Sequence, residues 1–443
     1  MVYEELIMNS SRRSFMSTLG AAVLATATES FAAARKPNII LFLCDDAGID
    51  LFGCYGGQSR FKTPNIDALA KEGTRFESCH AAPLCGPSRC LLMTGRYAFR
   101  TGGITNQSWR EGGPGAKSVD EFPIARLLKQ SGYATCCSGK WRQMGETPAE
   151  WGFDEYLTDP TAGGWYWQKT YTKNGKLIEN EKEVYAPDHA HEFTMDFMRR
   201  NRAKPFFIYH STHLVHGPIL LTPDSAPDSQ DLFADNVAYM DKMLGKVVAE
   251  VKKLGLQNDT VIVFTGDNGT AQKSYTIHGK QINGAKGSMW EGGTRVPLIV
   301  SGKGVKKGKL SADLVDFSDF YATFADFAGA PLPTSSKIDG RSFAPQSQGK
   351  KGSPRDWIYV QLGKNWYVKE KVWKLNQSGE LYDLKNAPFE EKRIAEGAGG
   401  PAGSEARKRL AAVLAELNPQ GGKVDSVPAG NNQQKKKNKK KAA

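Results

Sequence analysis

Four predominantly apolar runs punctuate the chain, Ile39 to Leu43, Tyr133 to Cys137, Phe206 to His210 and Val261 to Phe264, each followed at once by polar residues. Short runs without regular polar alternation are the pattern of strands covered on both faces, as in a parallel sheet between helices. Segments of helical period separate them. TPNIDALAKEGTRF predicts a helix with Pro64 near its start and Gly73 near its end, and Asn236 to Leu254 a longer amphipathic one. The apolar stretch after Pro87 predicts a further helix, opened by that proline, with Cys85 at its positive end. The class is therefore α/β, a large mixed, mostly parallel sheet between helices. Beyond about Gly340 the pattern shifts to short aromatic strands, WIYVQLG, NWYVKE, KVWKLN and ELYDL, then a helix over Glu405 to Leu417. That shift predicts a small C-terminal antiparallel sheet with one helix.

Chemistry follows the strands. Asp45 and Asp46 follow the first run, and Asp267 and Asn268 the last. Open α/β sheets place ligands beyond the carboxyl ends of their strands. Taken alone, Asp45 and Asp46 also fit a solvated acidic turn. Two strands that deliver such residues to one edge make a hard, all-oxygen set, suited to calcium or magnesium and poorly to zinc or copper. A two-metal phosphatase would bring extra histidines, and Asn268 favours one metal. Lys140 lies just past the second run, and a histidine-bearing loop follows the third.

Composition adds limits. With 40% hydrophobic and 24% charged residues the chain is an ordinary soluble protein, not a collagen-like, coiled-coil or membrane one. Its net charge of +12 is uneven: six lysines lie between Lys435 and Lys441, in a tail with nothing apolar to order it. The moderately basic remainder suits a polyanionic substrate, and without zinc-finger or RNA-binding motifs no nucleic-acid partner is expected. Ser11 to Arg35 has the order of an export signal, with Arg12 and Arg13 of twin-arginine type and cleavage after Ala34. Glu4 and Glu5 fit that signal poorly, which makes Met8 an alternative start. The stretch is too short and polar for a membrane span. The expected division is 1–34 export signal, 35–345 catalytic α/β domain, 346–418 C-terminal α+β domain and 419–443 disordered tail, in an exported, periplasmic or extracellular protein. The seven cysteines have no regular spacing and read mostly as buried small hydrophobes, with disulfide pairing unassigned.

The densest stretch is PLCGPSRCLLMTG, Pro83 to Gly95. As a plain thiol, Cys85 reads equally as a nucleophile or a buried structural residue. Cys85, Pro87 and Arg89, with Thr94 and Gly95, resemble the signature of the formylglycine-dependent sulfatases, the arylsulfatase type of the alkaline phosphatase superfamily. The likeness extends through Gly139 to Trp141, His216 with Pro218, Lys286, and EGGTRVP, covering about residues 36 to 417. It implies an alkaline-phosphatase-like fold and conversion of Cys85 to formylglycine by a partner maturase. One divalent metal, calcium rather than magnesium, would be held by Asp45, Asp46, Cys85, Asp267 and Asn268. Arg89, Lys140, His216 and Lys286 would surround the sulfate. Arg142 stands where the family has histidine; it cannot take a proton but can bind an anion. His210 and His213 fall outside the family's position and read as structural. The implied activity is hydrolysis of sulfate monoesters, on a sulfated small molecule or, more in keeping with the aromatic run Trp165 to Trp167, a sulfated carbohydrate. That run also fits the core face of a hairpin. The alternatives are a phosphodiesterase or phosphonate hydrolase on the same scaffold, and a non-catalytic polyanion-binding protein.

Overall fold

Strand β1 (Asn38–Cys44) is buried along its whole length, and its side chains divide by the period of two. Ile39, Leu41 and Leu43 enter one hydrophobic core, Ile40, Phe42 and Cys44 the other. Burial on both faces is why the run lacks polar alternation, and each large apolar side chain contributes about 1.5–3 kcal/mol. The computed structural model describes residues 35–109, 113–141, 144–159, 166–271 and 275–423. The expected export signal, Arg142, Trp165 and the lysine cluster of the tail lie outside the described residues.

The strands that follow are β2 (Gly73–His80), β3 (Ala134–Gly139), β4 (Glu155–Thr158), β5 (Trp167–Lys173), β6 (Lys176–Tyr185), β7 (Phe206–Ser211) and β8 (Thr260–Gly266). A two-rung hairpin, β9 (Thr276–Ile277) and β10 (Lys280–Gln281), precedes β11 (Arg295–Gly302) and β12 (Lys309–Asp316). All but the hairpin form one sheet in the order β12-β2-β11-β8-β1-β7-β3-β4-β5-β6. From β8 through β1, β7 and β3 to β4 every neighbour is parallel, while β11 runs against both β8 and β2. The sheet is mixed and mostly parallel, as the apolar runs predict. The helix predicted from Pro64 ends at Lys71, with Gly73 just beyond it as expected, but sequence pattern misses β2, which Gly73 already starts.

Helices cover both faces. They are α1 (Pro64–Lys71), α2 (Cys85–Thr94), α3 (Ile124–Gln130), α4 (Ala186–Asn201), α5 (Leu232–Lys253) and α6 (Asp319–Ala328). From α1, α4 and α5, Ile66, Met195 and Val247 join the core of Phe42; from α2, α3 and α6, Leu92, Leu128 and Phe324 join that of Leu41. Helix α2 starts at Cys85, two residues before the proline expected to open it, because proline is tolerated anywhere in a first turn. Helix α5 starts four residues before Asn236, where the Asp231 carboxylate accepts the Ala234 N–H.

The C-terminal pattern becomes a five-stranded antiparallel meander, β13 (Ile358–Leu362), β14 (Asn365–Lys369), β15 (Trp373–Asn376), β16 (Leu381–Asp383) and β17 (Lys392–Ile394). Helix α7 (Gly400–Leu417) packs on it through Ala406 and Leu410, in a core continuous with that of Leu41. Among the described residues no helix is long and apolar enough to cross a membrane.

Candidate functional site

Because β3, β7, β1 and β8 are parallel neighbours, their C-terminal ends share one edge and the residues beyond them converge. Gly139 ends β3 with φ of 89°, and a Cβ there would lie 2.0 Å from the Ser211 carbonyl oxygen. Glycine thus permits the turn that aims Lys140 inward. Asp46 adopts left-handed φ of 58°, which aspartate tolerates, and its N–H donates to Asp267 Oδ1 at 3.1 Å. That bond ties the end of β1 to the end of β8.

Asp45, Asp46, Arg89, Lys140, Asp267 and Asn268 are all buried. Arg89, on α2, donates to Asp267 Oδ2 from Nε at 3.0 Å and Nη2 at 2.8 Å. Its Nη1 donates to Ser211 Oγ and, at 3.3 Å each, to the Tyr209 hydroxyl and the Lys140 carbonyl. Lys140 Nζ pairs with Asp45 Oδ2. Lys286 Nζ donates to Asp46 Oδ2 at 2.7 Å, Asn268 Nδ2 to Asp46 Oδ1 at 2.9 Å, and His216 Nε2 lies 3.7 Å from Asp46 Oδ2. Cys85 Sγ and carboxylate oxygens of Asp45 and Asp267 lie within 4.8 Å of one another. Every described residue expected at the site is brought together.

Electrostatics sets the state of each group. Burial pushes the Cys85 thiol up, with Lys140 opposing, so it stays protonated at neutral pH and is a poor nucleophile as it stands. Burial works to raise Asp45, but the Lys140 ammonium holds its carboxyl below the ordinary range. Burial likewise works to discharge Lys140, and Asp45 keeps it charged. The His216 imidazole is pulled below its usual value by burial, with Asp45 opposing.

Arg89, Lys140 and Lys286 match three carboxylates, so the cluster by itself carries no surplus charge to attract an anion. Two buried acceptors, Asp45 Oδ1 and Asn268 Oδ1, receive no hydrogen bond. Unsatisfied buried oxygens beside carboxylates fit one hard divalent cation, whose two charges would supply the missing surplus.

Some residues that shape the site carry no motif. Asn106 Nδ2 lies 3.6 Å from Cys85 Sγ, and its Oδ1 accepts the Gly86 N–H at 2.9 Å. Tyr166 donates its hydroxyl to the carbonyls of His213 at 3.1 Å and His216 at 2.7 Å, fixing the loop that presents His216. Tyr166 is therefore a core residue, while Trp167 is 37% exposed and donates Nε1–H to the Leu221 carbonyl. His210 bonds Ser138 and Thr194, and His213 pairs with Asp159 at 2.6 Å, so both belong to supporting clusters. All seven cysteines are unpaired thiols, six of them buried.

A family model described as Sulfatase matches residues 37–330. Arylsulfatase D of Homo sapiens is 28% identical over 82% of this chain and 79% of its own length. N-acetylgalactosamine-6-sulfatase of Canis lupus familiaris is 31% identical over 74% of this chain and 69% of its own. The crystal structure of Ps i-CgsB in complex with k-i-k-neocarrahexaose matches with a TM-score of 0.75 at 28% identity, covering 88% of this chain and 94% of that one.

Proposed function

The chain belongs to the sulfatase family, with its alkaline-phosphatase-like fold and its hydrolysis of sulfuric esters, and from that premise we propose a formylglycine-dependent enzyme acting on a sulfated carbohydrate. The observation that carries the reading is Cys85: a buried thiol on the first turn of α2, beside Asp45 and Asp267, where burial disfavours its thiolate. A thiol in that state serves neither as thiolate nucleophile nor as packing for an apolar core. Converted to an aldehyde, position 85 supplies a hydrate oxygen to attack sulfur and a second hydroxyl whose proton loss releases sulfate. Asp45, Asp46, Asp267 and Asn268 would hold calcium, with magnesium second, and a bound divalent cation would neutralise charge on the sulfate oxygens.

The chain's own residues divide the remaining work. Arg89 and Lys140, fixed by their carboxylates, stabilise charge that develops next to position 85. Lys286 and His216 are the partly exposed donors, with side chains 17% and 22% accessible, so they meet the ester first. Lys286 orients sulfate, and His216 gives its Nε2 proton to the departing alcohol oxygen. Its lowered affinity for protons makes that transfer easier and favours activity on the acidic side of neutrality. Arg142 is assigned to sulfate binding, the base for sulfate release being another group or water; unchanged turnover and pH dependence in Arg142→His would remove it from the mechanism.

A carbohydrate substrate is supported by the resemblance to N-acetylgalactosamine-6-sulfatase and to a structure determined with neocarrahexaose. Export and a maturase partner complete the proposal. The test is the mass of the Cys85 peptide from natively matured protein, expected ~18 Da below that of the thiol, a loss outside the ordinary oxidation chemistry of cysteine. Rates on sulfate, phosphate and phosphonate esters of one alcohol then separate a sulfatase from a phosphonate hydrolase.

A further inference from the structure

Lys286 stands on a loop that closes on itself, the Gly292 N–H donating to the Asn283 carbonyl at 2.7 Å. Inside it the two legs touch. Ser288 Oγ accepts the Ala285 N–H at 3.1 Å and donates to the Ala285 carbonyl at 2.6 Å, and a Cβ on Gly293 would lie 2.1 Å from the Ser288 carbonyl oxygen. With no free space between the legs, a shift of the return leg, Met289 to Glu291, carries Lys286 with it.

The C-terminal sheet holds that return leg. Lys369 on β14 and Lys374 on β15 are directly opposite in register, so they share one face of the sheet, and both are buried. Two ammonium groups so placed repel unless each is matched. Both are matched at the loop. Lys369 pairs with Glu291, and its Nζ lies 3.2 Å from His80 Nε2. Lys374 pairs with Glu391, which stands just before β17, and donates to the Met289 carbonyl at 3.3 Å. The second Glu391 oxygen accepts the Glu291 N–H at 2.7 Å.

Stability alone does not account for such pairs. A buried ion pair gains little over apolar residues of the same volume, but it aims donors and acceptors at particular backbone atoms. Here those atoms are the Met289 carbonyl and the Glu291 N–H, on the leg that returns from Lys286. We infer that Lys374 and Glu391 are positioning residues for Lys286: by fixing the return leg they hold the Lys286 ammonium against Asp46 at the mouth of the site. Its consequence for turnover rests on the reading above, in which Lys286 orients sulfate.

The test uses the matured enzyme and 4-nitrophenyl sulfate. Lys374→Met/Glu391→Leu removes both charges together, so neither is left buried alone, while Met289 and Glu291 lose their partners. Lys374→Met/Glu391→Gln returns an acceptor to the Glu291 N–H. The expected result is a fall in kcat/KM of roughly tenfold in the first variant, recovered to within about threefold of wild type in the second. Added to Lys286→Ala, the first pair of substitutions should cost less than about twofold more, because an absent side chain cannot be misplaced. Equal falls in the two backgrounds, or no fall in either, overturn the inference. A readout that needs no turnover is the rate of reductive methylation of the Lys286 amine, 17% accessible, followed by peptide mass. That rate should rise about threefold or more in the first variant and return toward wild type in the second. An unchanged rate overturns the inference. Should wild type cleave no sulfate ester, or Lys286→Ala keep full activity, the functional reading fails separately, and the methylation rate alone decides whether the two residues position Lys286.

Discussion

At the floor of the site, Asp45, Lys140 and Asp267 come directly from strand ends and Arg89 from the second turn of α2, all of them buried. At the mouth, His216 lies five residues beyond β7 and Lys286 twenty beyond β8, both partly exposed. Sheet register therefore fixes the floor, whereas a few bonds fix the mouth: the Tyr166 hydroxyl on the His216 carbonyl, and the Lys286 N–H on the Thr270 carbonyl at 2.9 Å. The floor is part of the fold and the mouth is mounted on it. Substitutions at the floor should cost stability and activity together, and those at the mouth activity alone.

The proposed nucleophile gives the largest effect. Cys85→Ala should lower hydrolysis by about 10⁴-fold or more, the size seen when a nucleophile is removed; residual turnover near wild type would place the chemistry elsewhere. At the floor, Asp267→Ala leaves the Arg89 guanidinium buried without its main partner, which costs about 3–5 kcal/mol and lowers the melting temperature by several degrees. An unchanged melt would mean that the pair is not what holds the floor. At the mouth, His216→Gln should reduce kcat by about 10²–10⁴-fold at an unaltered melting temperature. A melt as depressed as that of Asp267→Ala would break the contrast between the two regions.

The smallest effect sharpens the boundary between them. Asp50, buried beside Thr270, has its carboxyl pushed up to about 6 by burial, the Thr270 hydroxyl opposing. Because the folded value is raised, its contribution to stability is complete below about pH 4 and is lost as pH rises through about 6. Asp50→Asn should therefore gain on wild type between pH 4 and 7, by about 1–3 kcal/mol, with activity retained. A melting-temperature difference that stays flat with pH would contradict this.

What could be read from sequence follows the same division. Strand ends were legible because a strand buried on both faces is an unbroken apolar run, and the polar residue that ends it stands out. Strand β2 was not, since GTRFESCH has no such run and is placed by pairing with β11 and β12 on either side. Asn106 was hidden for another reason: it meets Cys85 only because the chain after α2 folds back, and no spacing records that. Tyr166 and Trp167 are neighbours with opposite fates, one under the His216 loop and one facing solvent, a choice made by strand alternation in a segment whose register sequence does not specify.

The 1% exposure of Cys85 also orders events in time. An enzyme that rebuilds this side chain has no access once α2 has closed against the sheet, so it must work on a nascent or still extended chain. On the proposed conversion, editing comes first, folding second and loading of the proposed cation site last. A cell that folds the protein faster than it edits it would accumulate a stable, correctly shaped and permanently silent population, one that no later encounter with the editing enzyme could rescue.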